Sequence, residues 1–271
     1  MSTQHKTYSA VFFLILLLLT GLWSCQKVIN VDLNSASPKI VIDGNVTDQP
    51  GPYTVTLSQT VNFDETNIFP PVSGALIVIN DNTGTSDTLK ETTPGTYQTS
   101  KLQGVSGRTY TLTVVTNNIT YTATSSMPMP VEIDTLTLKN SPRSTKKLVS
   151  VTFTDPAGIS NYYHFVEQII NIHITGKPYI PTLGSVTSDR LLDGTERSFL
   201  LGRGATDLTA GDSVLVSLQC VDKNVYNYFR TAQQQGDMST TLSNPVSNIS
   251  NGALGYFSAC TVRTKMIVVT E

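Results

Sequence analysis

Charge, cysteine, histidine and tryptophan are all scarce in this sequence. Asp, Glu, Lys and Arg make up 14% of its 271 residues and leave a formal charge of −2. A nucleic-acid surface needs clustered Lys and Arg, and the chain has no such cluster. Three cysteines, Cys25, Cys220 and Cys260, are too few for a disulfide framework. With Cys25 set apart, export would permit a disulfide between the other two, and buried free thiols are the preferred reading. No apolar run reaches the ~20 residues that a membrane-crossing helix needs. The signatures of several enzyme classes are missing too. No Ser sits in a G-x-S-x-G elbow, and no G-x-x-x-x-G-K phosphate loop occurs. Gly202-Arg203-Gly204 is too short a pair to cradle a phosphate.

Metal chemistry is equally thin. His164 and His173 are the only histidines beyond the first few residues, and Glu167 lies between them. Their separation is an odd number of positions, so on one strand they face opposite sides and share no metal. Asp81-Asn82-Thr83-Gly84-Thr85-Ser86-Asp87 is rich in oxygen, but a calcium loop wants carboxylates at alternate positions and a closing Glu. A hairpin turn accounts for it better. No metal and no cofactor are expected.

What is present begins with an address. Lys6 precedes an apolar run at residues 11–19, and Leu22-Trp23-Ser24-Cys25 closes it. A basic start, a short apolar centre and a small residue before the cut mark a secretory signal peptide. The cysteine gives it the shape of a bacterial lipobox, cleaved between Ser24 and Cys25, with Cys25 as the lipid attachment site. Each buried CH₂ contributes roughly 0.8 kcal/mol, so two or three acyl chains hold a protein on a membrane without a spanning helix. Gln26 follows the cysteine where an inner-membrane retention signal would place Asp. The expected location is therefore the outer membrane, with the membrane face left open.

Residues 25–38 read as a tether. From 39 onward, apolar and β-branched residues alternate in short runs separated by turn residues, which is strand patterning. Such runs cover 39–46, 53–58, 74–80, 88–91, 95–99, 108–115 and 119–123. Asn117-Asn118 suits a hairpin turn with positive φ. Seven runs at regular spacing predict a β-sandwich over residues 39–127. Met127-Pro128-Met129-Pro130 cannot sit in a central strand, and a domain boundary is expected there. Residues 131–271 read as a second β-rich domain. Its strands are expected at 131–138, 148–153, 162–174 and 212–218, with closing strands over 256–269. Residues 176–196 read as a long loop. Asp222 is placed to cap one short helix at 223–235, with Val225, Phe229 and Ala232 along one face.

Two groups of residues are candidate sites. Tyr162, Tyr163 and His164 are candidate binding residues, with Tyr226, Tyr228 and Phe229 as a further aromatic cluster. Asp155, Asp193 and His164 are the candidates for hydrolytic chemistry.

The chain also resembles a Bacteroidota lipoprotein family known as domain-of-unknown-function family 4249. The resemblance rests on Ile42-Asp43-Gly44-Asn45-Val46-Thr47-Asp48, Val72-Ser73-Gly74-Ala75, Gly95-Thr96-Tyr97 and Gly107-Arg108-Thr109-Tyr110-Thr111-Leu112. In the second half it rests on Asp155-Pro156, Asn161-Tyr162-Tyr163, Asp193-Gly194, Asn244-Pro245-Val246-Ser247-Asn248-Ile249 and Asn251-Gly252-Ala253-Leu254-Gly255-Tyr256-Phe257. It implies an outer-membrane lipoprotein, often found beside TonB-dependent transporters, and it transfers no catalytic residue. The first half resembles transthyretin-like modules as well. The fold expected is mainly β: a transthyretin- or immunoglobulin-like sandwich, then a β-rich domain with one helix. The function expected is a non-enzymatic accessory or binding partner of a TonB-dependent transporter in nutrient uptake. An exported hydrolase of glycans or peptides, and a surface adhesion module, are the alternatives.

Overall fold

The computed structural model describes residues 37–62, 65–141, 147–170, 184–190, 193–201, 208–236 and 244–270. The leader, the Ser24–Cys25 cleavage site, the tether to residue 36, His173 and Gly202-Arg203-Gly204 lie outside the described residues. The described chain is mainly β, as its alternation predicts. The first half forms β1 (Ile40–Thr47), β2 (Thr54–Gln59), β3 (Leu76–Asp81), β4 (Ser86–Thr88), β5 (Lys90–Thr93), β6 (Thr96–Gln98), β7 (Thr109–Thr116) and β8 (Ile119–Ser126). The second half forms β9 (Thr135–Asn140), β10 (Lys147–Thr154), β11 (Tyr162–Ile170), β12 (Ser185–Ser188), β13 (Glu196–Leu200) and β14 (Ser213–Val221). Helix α1 (Lys223–Gly236) and the long β15 (Leu254–Val268) complete it.

Three sheets result, ordered β12-β11-β14-β15-β1-β2-β6-β5, β13-β10-β9 and β4-β3-β7-β8. The eight-stranded sheet draws on both halves of the chain because β15 serves two partners. Leu254 to Cys260 pair in parallel with β1, and Thr261 onward pairs antiparallel with β14. Two "closing strands" at the end of the chain are thus one continuous strand. Gly255 makes the first pairing possible. Its φ is +88°, and a Cβ there would lie 2.1 Å from the Ile42 carbonyl oxygen. Where β15 changes partner, Asp48 accepts the Val262 N–H at 2.8 Å and pairs with Arg263 at 2.7 Å. Arg263 reaches Glu132 at 2.6 Å as well.

Three apolar clusters lie along this shared sheet among the described residues, the smallest of them, around Val221, Val225, Phe229 and Cys260, under α1. The first gathers Ile42, Val55, Ile77, Tyr97 and Leu112 with Phe257 and Ala259 from β15. The second gathers Val149, Phe153, Phe165, Val214 and Leu218. The Asn117-Asn118 hairpin forms with φ of 51° and 60°. The Asp81 loop is held as a turn: Asp81 Oδ1 accepts the N–H groups of Thr83 and Thr85 and the Thr83 hydroxyl. Arg108 pairs with its other oxygen at 2.7 Å. These bonds outweigh the cost of burial and lower the Asp81 carboxyl to about 2.

Three readings of the second half differ from the structure. Val131 and Ile133 are buried, yet β9 starts only at Thr135; their alternation reports burial, not ladder pairing. The region read as a loop at 176–196 contains β12, paired with β11. It also reaches the start of β13, which pairs with β10. Both are short and polar, so their periodicity is weak.

Candidate functional site

An open cavity of about 740 Å³ sits where the end of β11, the loops flanking it and one face of α1 converge. The helix exists where the cap predicts it. Asp222 Oδ1 accepts the N–H groups of Asn224 and Val225 at 2.8 and 3.0 Å. Asp222 Oδ2 accepts the Ser125 hydroxyl and the Ser126 N–H, which ties the helix start to β8. Val225 and Phe229 face inward, onto Val221 and Cys260. Lys223, Tyr226, Asn227 and Arg230 stand at i, i+3, i+4 and i+7 and face the cavity together.

The opposite wall comes from β11 and its loops. Antiparallel pairing sets Tyr162 against Ser188, so the next residues out, Asn161 and Asp189, also meet. Asp189 Oδ2 accepts the Asn161 N–H at 2.7 Å. Asp193 accepts the Gly158 N–H at 2.9 and 3.1 Å. Asp155 accepts the Tyr163 hydroxyl and the Gly194 N–H at 3.2 Å. Gly194 has φ of +72°, and a Cβ would meet that of Ala157 at 2.7 Å, so the two loops close only over glycine. Oxygens of Asp155, Asp189 and Asp193 lie within 4.8 Å of one another. These are the residues with the geometry to hold a cation. Their hydrogen bonds to backbone amides and a phenol also bind the loops that shape the cavity rim.

Strand alternation separates the three candidate binding residues. Tyr162 lines the cavity, with its ring centroid 5.1 Å from that of Tyr226 and the planes at 38°. Tyr163 points the other way, fully buried in the second core, edge-on to Phe153. Burial and the Asp155 carboxylate both raise its phenol. His164 returns to the helix side but is only 4% exposed. Its ring stacks on Phe229 at 3.9 Å, and its Nδ1 is 2.9 Å from Gln219 Oε1. Of the three hydrolytic candidates, Asp155 and Asp193 are brought together and His164 is not. Sequence reasoning missed Asp189, Arg190, Lys223 and Arg230. The helical spacing of Lys223 and Arg230 around Tyr226 was a readable signal; nothing local marked Asp189.

A second cavity of about 460 Å³ lies around the start of α1 and shares Asn227 with the first. Its far wall is the segment Val246-Ser247-Asn248-Ile249-Ser250. Asn248 exchanges two hydrogen bonds with the backbone of Phe257, and Ser250 bonds Thr122 through both backbone and side chain. The segment so covers the edge of β8. Cys220 and Cys260 are both buried and free. Burial pushes the Cys260 thiol up to about 12. Among the described residues, no helix is long and apolar enough to cross a membrane.

No curated protein matches the chain. Among solved structures, a DUF4785 family protein from Legionella pneumophila is similar over 67% of this chain, at 12% identity and a TM-score of 0.27. The match spans about half of that protein, 52% of its length, and so slight a likeness carries no argument. Residues 26–266 match the family described as Domain of unknown function (DUF4249), and the chain belongs to that family.

Proposed function

We propose that this chain is a lipid-anchored binding protein of the outer membrane in a Bacteroidota cell, acting as a non-enzymatic accessory to a TonB-dependent transporter. Cys25 carries the lipid, and the cavity beside α1 receives the ligand. The observation that carries the binding reading is the state of the charged groups around that cavity. Its carboxylates are engaged by backbone amides, while the side chains of its cations stand exposed and, among the described residues, without an ion pair or hydrogen bond. A rigid rim with available charge suits recognition. The hydrolase alternative would pair His164 with Asp155 and Asp193, but His164 is buried against Phe229, and the clustered carboxylates accept bonds from backbone amides and the Tyr163 phenol. The anchor rests on the lipobox, and the family match begins at residue 26, directly after Cys25. Affinity purification of the tagged chain from gently solubilised membranes tests the partnership. A β-barrel transporter in stoichiometric amount is the expected companion; a chain that migrates alone contradicts the proposal.

A further inference from the structure

The chemistry of the cavity narrows the class of ligand, granted the reading of it as a binding site. Charge comes first. Arg190, Lys223 and Arg230 all line the first cavity and are exposed. Among the described residues, none of the three side chains takes part in an ion pair or hydrogen bond. Asp189 and Asp193 in the same wall accept backbone N–H groups. The lining so sets three exposed cations against two carboxylates that already bond to the backbone, and the cations outnumber them.

Spacing comes second. Lys223 and Arg230 are two helical turns apart, about 10 Å along the axis at 1.5 Å per residue. Tyr226 and Asn227 lie between them. Standing two turns apart, the two cations can each meet a separate carboxylate of one extended ligand. The Tyr162–Tyr226 pair supplies part-exposed aromatic faces from opposite walls. An aromatic face is electron-rich and attracts polarised C–H groups, which the ring of a sugar presents in a row.

Continuity comes third. Asn227 lines both cavities, so the two adjoin at the helix. The second cavity is lined mainly by neutral polar residues, among them Thr122, Thr124, Asn224, Ser247 and Asn248, of which Thr122, Ser247 and Asn248 also bond within the fold. Polar groups of this kind match sugar hydroxyls, and few apolar side chains are present to hold those of a peptide.

We infer that the two cavities form one groove across α1 that binds an acidic oligosaccharide. Carboxylates of its sugars meet Lys223, Arg190 and Arg230. Sugar rings stack at Tyr162 and Tyr226, and further units lie against Asn224 and Ser247. Isothermal titration of the full chain in detergent tests this with three probes: tetragalacturonate, neutral maltotetraose and tetraglutamate. Tetragalacturonate binds, maltotetraose binds at least about tenfold more weakly, and added salt weakens the acidic ligand. Arg230→Ala and Tyr226→Ala each weaken tetragalacturonate by about tenfold or more. Both residues face the cavity, and unchanged thermal unfolding confirms that the variants fold. Absence of tetragalacturonate binding, indifference to Arg230→Ala, or equal binding of tetraglutamate overturns the inference. Recovery of shortened galacturonate overturns the non-enzymatic reading instead. A transporter that co-purifies with a chain blind to all three probes removes the ligand class and leaves the partnership standing.

Discussion

Replacing Glu167 with Gln isolates one titrating group on the face of β11 that meets the second core. Glu167 pairs with Val216 across β11 and β14. Alternation places it on the same face as Phe165 and Ile169, both in the second core. Burial is the only cause acting on it, and its carboxyl is pushed up from 4.5 to about 7. Each pKa unit corresponds to about 1.4 kcal/mol, so the ionised form costs about 3 kcal/mol in the folded chain. The folded state holds the proton more tightly than the unfolded state. Below about pH 4.5 both states are protonated and the cost is absent. It grows between the two pKa values and is complete above pH 7. Glu167→Gln removes the ionisation while nearly keeping the shape. Urea unfolding of the two chains, followed by circular dichroism, measures the difference. The variant is about 2–3 kcal/mol more stable at pH 8 and nearly equal to the parent at pH 4.5. Other acidic groups, Asp81 among them, change both proteins alike and cancel. A difference that does not vary with pH refutes the reasoning, as does a variant less stable than its parent at pH 8.

Asp222→Ala removes both the cap of α1 and the acceptor for buried Ser125. Loss of about 2–4 kcal/mol is expected in the same unfolding assay, with Asp222→Asn falling between variant and parent. Gly255→Ala forces a Cβ against the Ile42 carbonyl and separates β15 from β1. It lowers stability by at least about 2 kcal/mol or abolishes folding, read by thermal unfolding and by the yield of folded chain. Cys220 and Cys260 resist a thiol reagent in the folded chain at pH 8 and react together on unfolding, because burial shields both and keeps their thiols protonated.

How much of this was readable in the sequence depends on what each signal reports. Alternation in Thr109 to Val115 reports burial of one face, and the strand is there. The same alternation at Val131 and Ile133 reports burial without pairing, so β9 begins later than its pattern. Asp222 followed by Val225 and Phe229 specifies the helix through local chemistry, and it forms at that place. Tyr162, Tyr163 and His164 look equivalent in the sequence, yet a period of two sends them to different environments. Only Tyr162 reaches the cavity. Asp189 joins Asp155 and Asp193 through the β11–β12 register, which polar β12 does not announce. The double pairing of β15 was illegible for a related reason. A strand's length does not say how many partners it has, and the parallel contact joins residues more than two hundred positions apart.

The proposed lipid anchor would hold the proposed binding groove at a membrane, and the proposed role depends on it. Intact mass spectrometry of the chain extracted from its native membranes tests that anchor most directly. The account predicts a polypeptide that starts at Cys25 and carries a diacylglycerol thioether, with a further acyl chain on its amine. A chain that keeps residues 1–24, or one that starts elsewhere with no lipid mass, contradicts it.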